Sequence, residues 1–523
     1  MSPPTSLERL NEDVIRELAA RYLKPRGLLV NLASSSRRLR CYCMPILFSN
    51  CRVKASAREA DRIPPVAIRP YVRHLVYAGG LSQSVPSCEE LDYLPNICSI
   101  TFDQAVGRVP ISVLVRCLNH SLVSLSFTNT SRSPVEPHTW LPPAISTLSN
   151  TLERLSYPTY PWKATRAFGN NIDIEEETGL DLRYIGSIVL GMHSSAKSLA
   201  LPVDAIPLAA MSKLPWPNLR DLSLTGRYLN ESHARDLQRL LRLLDSPRSI
   251  SVLVAQPLDC ARAPVCGRRS TSTIDTSQLQ SLSIAYPDPD DTIVSKPCMS
   301  LLRLSLRDYP RYYLRNSPLH VKDMKGLATP ILSSSECLRI LTRMAALSLE
   351  HLELVYESDQ AEEELLLHVA SSYPRLHAIQ IHQYRASRGS DALNFKRIAA
   401  ILASTKTLRT VHLHLDYELD SPSSYDFDPP RLKQWPSRLA RYGGDMLETL
   451  ERGCPVLEGL FLLHQDESEK EHFWVKFLPT RYPGRSRIDW DWLLERPDCE
   501  PPYRHCKGLR RTTGSRLDLP MTW

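Results

Sequence analysis

One short pattern of apolar and polar positions recurs along this chain. It reads apolar-x-x-apolar-x-apolar, as in Leu219-Arg-Asp-Leu222-Ser-Leu224, Leu279-Gln-Ser-Leu282-Ser-Ile284 and Leu349-Glu-His-Leu352-Glu-Leu354. In extended backbone successive side chains point to opposite faces. Leu222 and Leu224 therefore share one face, Leu219 turns in beside them, and Asp221, Ser223 and Thr225 face the other way. Copies begin at Ile97, Leu122, Leu152, Ala196, Leu219, Leu279, Leu301, Leu349, Leu376, Leu408 and Leu457, with weaker ones at Val72 and Ile250. Most steps run from 22 to 32 residues; the steps of 44, 48 and 49 residues each hide a worn copy or carry an insertion.

A lone strand cannot bury such a face, whereas stacked neighbours form a parallel sheet over a continuous core. The stretches before several strands change period. Residues 331–347, with Ile331, Leu338, Leu341, Met344 and Leu347, place apolar residues on one helical face. Residues 361–370 open on acids, as a helix start favours. Residues 395–403 and 439–451 read similarly. Helix, loop and strand in alternation predict an α/β solenoid.

This pattern resembles the leucine-rich-repeat family. The run Gly453-Cys454-Pro455-Val456-Leu457-Glu458-Gly459-Leu460-Phe461-Leu462 is similar to the lead-in of its cysteine-containing subtype, and Ser372-Tyr373-Pro374-Arg375-Leu376 is a relative without the cysteine. The asparagine usual after the strand is missing: Arg227, Glu357, Asp416 and Gln465 stand there. The resemblance implies a horseshoe whose outward strand residues line a concave docking face. On the early strands those residues are mostly short: Ser99, Thr101, Ser124, Ser126, Arg154, Ser156, Ser198, Ala200, Asp221, Ser223, Ser281 and Ser283. On the later ones they are large: Arg303, Arg307, His351, Glu353, Gln380, His382, His412, His414 and Phe461. Arginine and aromatic residues anchor interfaces, so a target protein is expected on the later half.

The front of the chain follows another rule. Asn11 offers a helix cap, Glu12 and Asp13 fill a first turn, and Val14, Ile15, Leu18, Tyr22 and Leu23 form an apolar stripe. Pro25 and Gly27 interrupt it. A second helical run carries Leu28, Leu29, Leu32 and Leu39, and the basic run Arg37-Arg38-Leu39-Arg40 suits its C-terminus. Met44-Pro45-Ile46-Leu47-Phe48 forms a third short segment. The order Leu10-x-x-Asp13-Val14-Ile15, Leu28-Leu29-x-x-Leu32-Ala33, Ser36-Arg37-Arg38-Leu39-Arg40 and Pro45-Ile46-Leu47-Phe48 resembles the F-box. Leu10-Asn11 stands where that motif usually has Leu-Pro.

The resemblance implies contacts with a Skp-type adaptor of a cullin–RING ubiquitin ligase, carried by Leu10, Val14, Leu18, Leu28, Leu32, Leu39, Pro45, Leu47 and Phe48. Combined with the repeats, it implies a substrate receptor that performs no chemistry itself. The alternative is a free-standing scaffold or inhibitor, with the helices as a solenoid cap. The expected organisation is a disordered start over 1–6, an F-box over 7–54 and the repeats over 55–465. A C-terminal cap and a basic, proline-rich tail, expected from its composition to be disordered, would fill 466–523. Within it, 488–494 is expected to cover the last repeat's open edge.

Composition changes this picture little. A formal charge of +7 over 523 residues, with 64 basic and 57 acidic side chains, is no nucleic-acid footprint. No apolar stretch approaches the roughly 20 residues that span a bilayer, and the opening residues lack a secretory pattern. Thirteen cysteines without such a signal suit a reducing compartment, cytoplasmic or nuclear. His412 and His414, with His382 on a neighbouring strand, are the best metal candidates, but neither carboxylate nor cysteine joins them at ligand spacing. Nucleophile-elbow, phosphate-loop, dinucleotide and zinc-protease motifs are all absent from the sequence. Neither a cofactor nor a catalytic residue is expected.

Overall fold

The fold is seen in a computed structural model. It describes residues 26–54, 64–78, 89–103, 111–128, 151–157, 185–228, 231–257, 262–267, 274–312, 327–385, 394–415, 429–466, 471–480 and 488–494, apart from 121, 296 and 329. Positions 11, 13, 14, 17 and 109 are also described.

Two helices open the described chain. Helix α1 spans Arg26–Ser35 and α2 spans Arg37–Leu47, with Ser36 between them. The Ser36 hydroxyl accepts from the Leu39 N–H at 3.2 Å, which caps α2. The basic run Arg37–Arg40 therefore opens a helix instead of closing one: the serine cap outweighs the unfavourable dipole term of a few tenths to 1 kcal/mol. Met44–Leu47 is the last turn of α2 and not a separate segment, with Pro45 inside the helix.

Ten strands then follow in order: β1 Asn50–Lys54, β2 His74–Ala78, β3 Ser99–Asp103, β4 Ser124–Thr128, β5 Arg154–Ser156, β6 Ser198–Pro202, β7 Asp221–Arg227, β8 Ser249–Pro257, β9 Ser281–Ala285 and β10 Arg303–Arg307. Two short strands, β11 Leu327–Ala328 and β12 Leu332–Ser333, lie in a long connection. Strands β13 His351–Ser358, β14 Ala378–Arg385, β15 Thr410–Leu415 and β16 Gly459–Asp466 complete the series. Among the described residues fourteen strands, β1–β10 and β13–β16, pair in parallel with a common register.

The register has a backbone signature. The carbonyl just before each strand accepts two N–H groups from the next repeat: Arg220 takes those of Arg248 and Ser249, and Arg248 those of Gln280 and Ser281. The same two-donor contact recurs from Ser49 through Arg409. It satisfies the polar groups of each chain entry without side chains.

This register corrects the sequence reading at two points and decides a third that it left open. A first repeat lies within the span assigned to the helical module. Cys51 and Val53 align with Leu75 and Tyr77, so Phe48 stands three residues before Cys51 as the lead-in residue. Ile250 aligns with Leu222 and is thus the second apolar position of its repeat, with Pro247 at the first. The long steps carry insertions and not worn repeats, because β5 pairs directly with β6, β10 with β13 and β15 with β16.

Helices form the layer behind the sheet: α3 Ile111–Asn119, α4 Glu231–Arg242, α5 Ser334–Met344, α6 Glu362–Ser372, α7 Phe395–Leu402 and α8 Pro429–Gly453. The last four pack each on the next. A core of leucine, isoleucine and valine runs continuously between sheet and helices. Each buried leucine contributes roughly 1.5–3 kcal/mol. At the front of this core Tyr77, Phe102 and Phe127 stack with centroids 5.7 and 5.5 Å apart, and Tyr157 closes the column edge-on at 5.1 Å. The Cys454 thiol sits buried 3.3 Å from the Thr405 carbonyl, at the end of the previous helix. Three residues before its own leucine, Tyr373 reaches the Leu341 carbonyl in the same way.

The chain reverses after β16. Strand β17, Glu471–Phe477, pairs antiparallel with it, and β18, Ile488–Leu494, pairs antiparallel with β17. The edge of β16 is thus met by β17; the segment 488–494 lies one strand further out.

Candidate interaction face

The outward side of the sheet falls into two regions of different character. Over β2–β9 it carries mainly Ser, Thr and Ala, half-buried between their neighbours. Over β10–β16 the large residues expected from sequence come together, because the register sets Ser305 beside Glu353, Glu353 beside Gln380, Gln380 beside His412 and His412 beside Phe461.

Much of this second region is closed over by the protein itself. After β10 the chain turns across the face as a strap, Asp308–Tyr312. Arg311 donates to Asp308 at 3.1 Å and to the Glu353 carboxylate, which also accepts from Ser305 at 2.6 Å. The Tyr312 N–H donates to Asp308, and the Tyr312 ring meets Tyr384 edge-on at 4.8 Å. From the other side β17 brings Trp474, whose ring lies 5.7 Å from His382 and 5.1 Å from His412. His412 stacks on Phe461 at 4.2 Å with planes 6° apart. His382 has no solvent exposure, Arg307 and Phe461 are buried, and Gln380, His412 and His414 are half-buried. Of the nine expected docking residues, Arg303 and His351 are the exposed ones.

The electrostatics follow from enclosure. Burial alone would raise the Glu353 carboxyl, but the Arg311 and Arg307 guanidiniums and its hydrogen bonds overcome that and hold it at about 2. The histidines move down. Burial, then the positive field of Lys476, brings His412 to about 4. Burial and Arg311 bring His414 to about 3, and His382 lies well below the ordinary range. All three rings are neutral near pH 7. The Gln380 amide and His382 Nε2 lie within hydrogen-bond distance, 2.8 Å apart. Among the described residues no three His, Cys, Asp or Glu side chains stand together so as to hold a metal ion.

The front module is smaller. Leu29, Ala33 and Cys43 form a core between α1 and α2, with Leu32, Ile46 and Leu47 packed against it. Arg40 donates to the Ala33 carbonyl at 3.2 Å and ties the two helices. Of the expected adaptor contacts, Leu39 is buried; Leu32, Pro45, Leu47 and Phe48 are half-buried; Val14 is 45% exposed. Asn11 Oδ1 accepts from the Asp13 N–H at 3.1 Å. Leu10 and Leu18, and the side chain of Leu28, lie outside the described residues, as does the segment 495–523. Val30, 46% exposed on α1, is an outward apolar residue that the motif match passed over.

No protein-family model and no curated protein matches the chain. Among solved structures it is similar to a leucine-rich-repeat protein of Leptospira interrogans, at 12% identity and a TM-score of 0.24. That match covers 75% of this chain and 95% of the other. It is also similar to TLR13 in its complex with ssRNA13, at 11% identity and a TM-score of 0.24, over 70% of this chain and 58% of the other. The repeat assignment rests on this chain's own register.

Proposed function

We propose that this protein is a non-catalytic recognition subunit that holds a partner protein on the outward face of its sheet. The observation that carries this reading is the division of the sheet. One side is leucine-lined and buried, while the other projects polar side chains from a fixed parallel ladder. Arg303 and His351, side by side on β10 and β13, are the accessible anchors of the later half. The enclosed Glu353, His382, His412, His414 and Phe461 hold that half rigid.

The finer reading is a substrate receptor of a cullin–RING ubiquitin ligase, with the front helices on a Skp-type adaptor. It rests on the order of the F-box-like residues, on the α1–α2 hairpin and on the outward apolar side chains Val14 and Val30. Co-purification tests it. The intact chain should retain the adaptor, and Leu10→Asp with Pro45→Ala should lose it. No adaptor with the intact chain would leave the scaffold reading. Comparing proteins captured by the intact chain and by one lacking residues 7–47 then identifies the target.

A further inference from the structure

The exposed cations of the sheet form a row. Arg73 lies at the entry to β2, Arg154 opens β5, Arg248 lies at the entry to β8 and Arg303 opens β10. All four are exposed, and among the described residues none is in a salt bridge or a side-chain hydrogen bond; the Asp221 carboxylate at the opening of β7 lies in the field of Arg154 and Arg248. The register places them on one rim at two adjacent positions: Arg154 and Arg303 open their strands, and Arg73 and Arg248 stand one residue earlier. The field they create is felt locally. His74 is held below its ordinary value by partial burial and then by Arg73 and Arg154; His351 is lowered by burial and then by Arg303. Of the nearby acids, Glu153 is paired with Lys197 at 2.7 Å, while Asp221 and Glu350 leave the cations in excess. Between the arginines the other strand openings are Ser99, Ser124, Ser198, Ser249 and Ser281, which put no bulk in the way, and Asp221, the one acid among them.

We propose that this rim binds an extended acidic polypeptide segment that crosses the strands. The reading rests on the outward face being where a partner docks, and it names that partner's chemistry. Strands lie about 4.8 Å apart, so β2, β5, β8 and β10 place cations at intervals of about 14, 14 and 10 Å. An extended peptide rises about 3.3 Å per residue, so acidic side chains three to four residues apart meet them in turn. A nucleic-acid strand fits worse. Its charges are about 3.4 Å apart along the axis, far denser than this row, and aromatic side chains for base stacking do not interleave with the arginines.

The probe is a fluorescent peptide of about 14 residues with glutamate at every third or fourth position and serine or glycine between, long enough to cross from β2 to β10. Anisotropy titrations of the full chain should show binding that weakens with salt. The same peptide with glutamine for glutamate should bind at least tenfold more weakly. Arg154→Glu with Arg248→Glu and Arg303→Glu should abolish the signal, and the corresponding lysine variant should keep most of it. Equal binding of the glutamine peptide overturns the proposal without any variant having to fold. Tighter binding of a single-stranded oligonucleotide of equal charge overturns it too. Neither readout involves the adaptor, so a failed co-purification and a failed titration report on different claims.

Discussion

Glu353 shows how a side chain read as a docking residue becomes structural. Its carboxylate answers Arg311 on the strap and Ser305 on the neighbouring strand. Glu353→Ala takes one carboxylate partner from the buried Arg311 guanidinium, at a cost of about 3 kcal/mol. Chemical denaturation should show that loss, while Arg303→Ala leaves stability unchanged and affects only partner capture. The histidines add a pH dependence. Near pH 7 they are neutral folded or unfolded. Below the ordinary value of 6.5 the unfolded chain binds protons that folded His412 refuses until about pH 4, and His414 until about 3. Stability is therefore full above that ordinary value and falls as pH drops through this window, by up to about 1.4 kcal/mol per pH unit for each ring. Glu353 acts in the same direction, its contribution lost between 4.5 and about 2. Melting temperatures between pH 7.5 and 4.5 should fall accordingly, and His412→Phe, which keeps a ring against Phe461, should flatten the slope.

At the level of elements, what was legible in the sequence was the repeat, and what was lost were the places where another residue took the leucine's part. Leu122, Leu219, Leu279 and Leu408 announce their strands. Phe48 does the same work but closes a helical motif, and its strand offers Cys51 and Val53 instead of leucines. Pro247 hides the start of β8. The start of α2 was signalled by Ser36 and masked by the arginines after it. The enclosure of His382 was not legible, because its cover comes from a strap some 70 residues before it and from Trp474 some 90 after it. Two element-scale tests follow. Ser333 caps α5 in a reciprocal pair with Glu336, so Ser333→Ala should cost about 1 kcal/mol in a denaturant melt. Gly453 ends α8 where an added methyl would stand 2.0 Å from the Ala403 carbonyl oxygen of the preceding repeat. Gly453→Ala must therefore push α8 off α7, at about 2–3 kcal/mol, visible in the same melt.

As a whole the molecule is a stack in which each repeat leans on its neighbours, finished at one end by two antiparallel strands. Truncation after Asp466 would bare the edge of β16 and remove Trp474 from His382 and His412. Exposed strand edges recruit other edges. The truncated chain should elute as oligomers in size-exclusion chromatography where the intact chain runs as a monomer.

The steps between successive strand entries vary from 22 residues, between Ser281 and Arg303, to 49, between Thr410 and Gly459. The rungs themselves keep one spacing, because the two-donor carbonyl contact closes every step alike. Lengthening a loop at the back adds mass there and shifts no outward side chain relative to another. The wall is a graduated rule: whatever reads it measures distance in rungs, and drift in loop length leaves the graduations where they were.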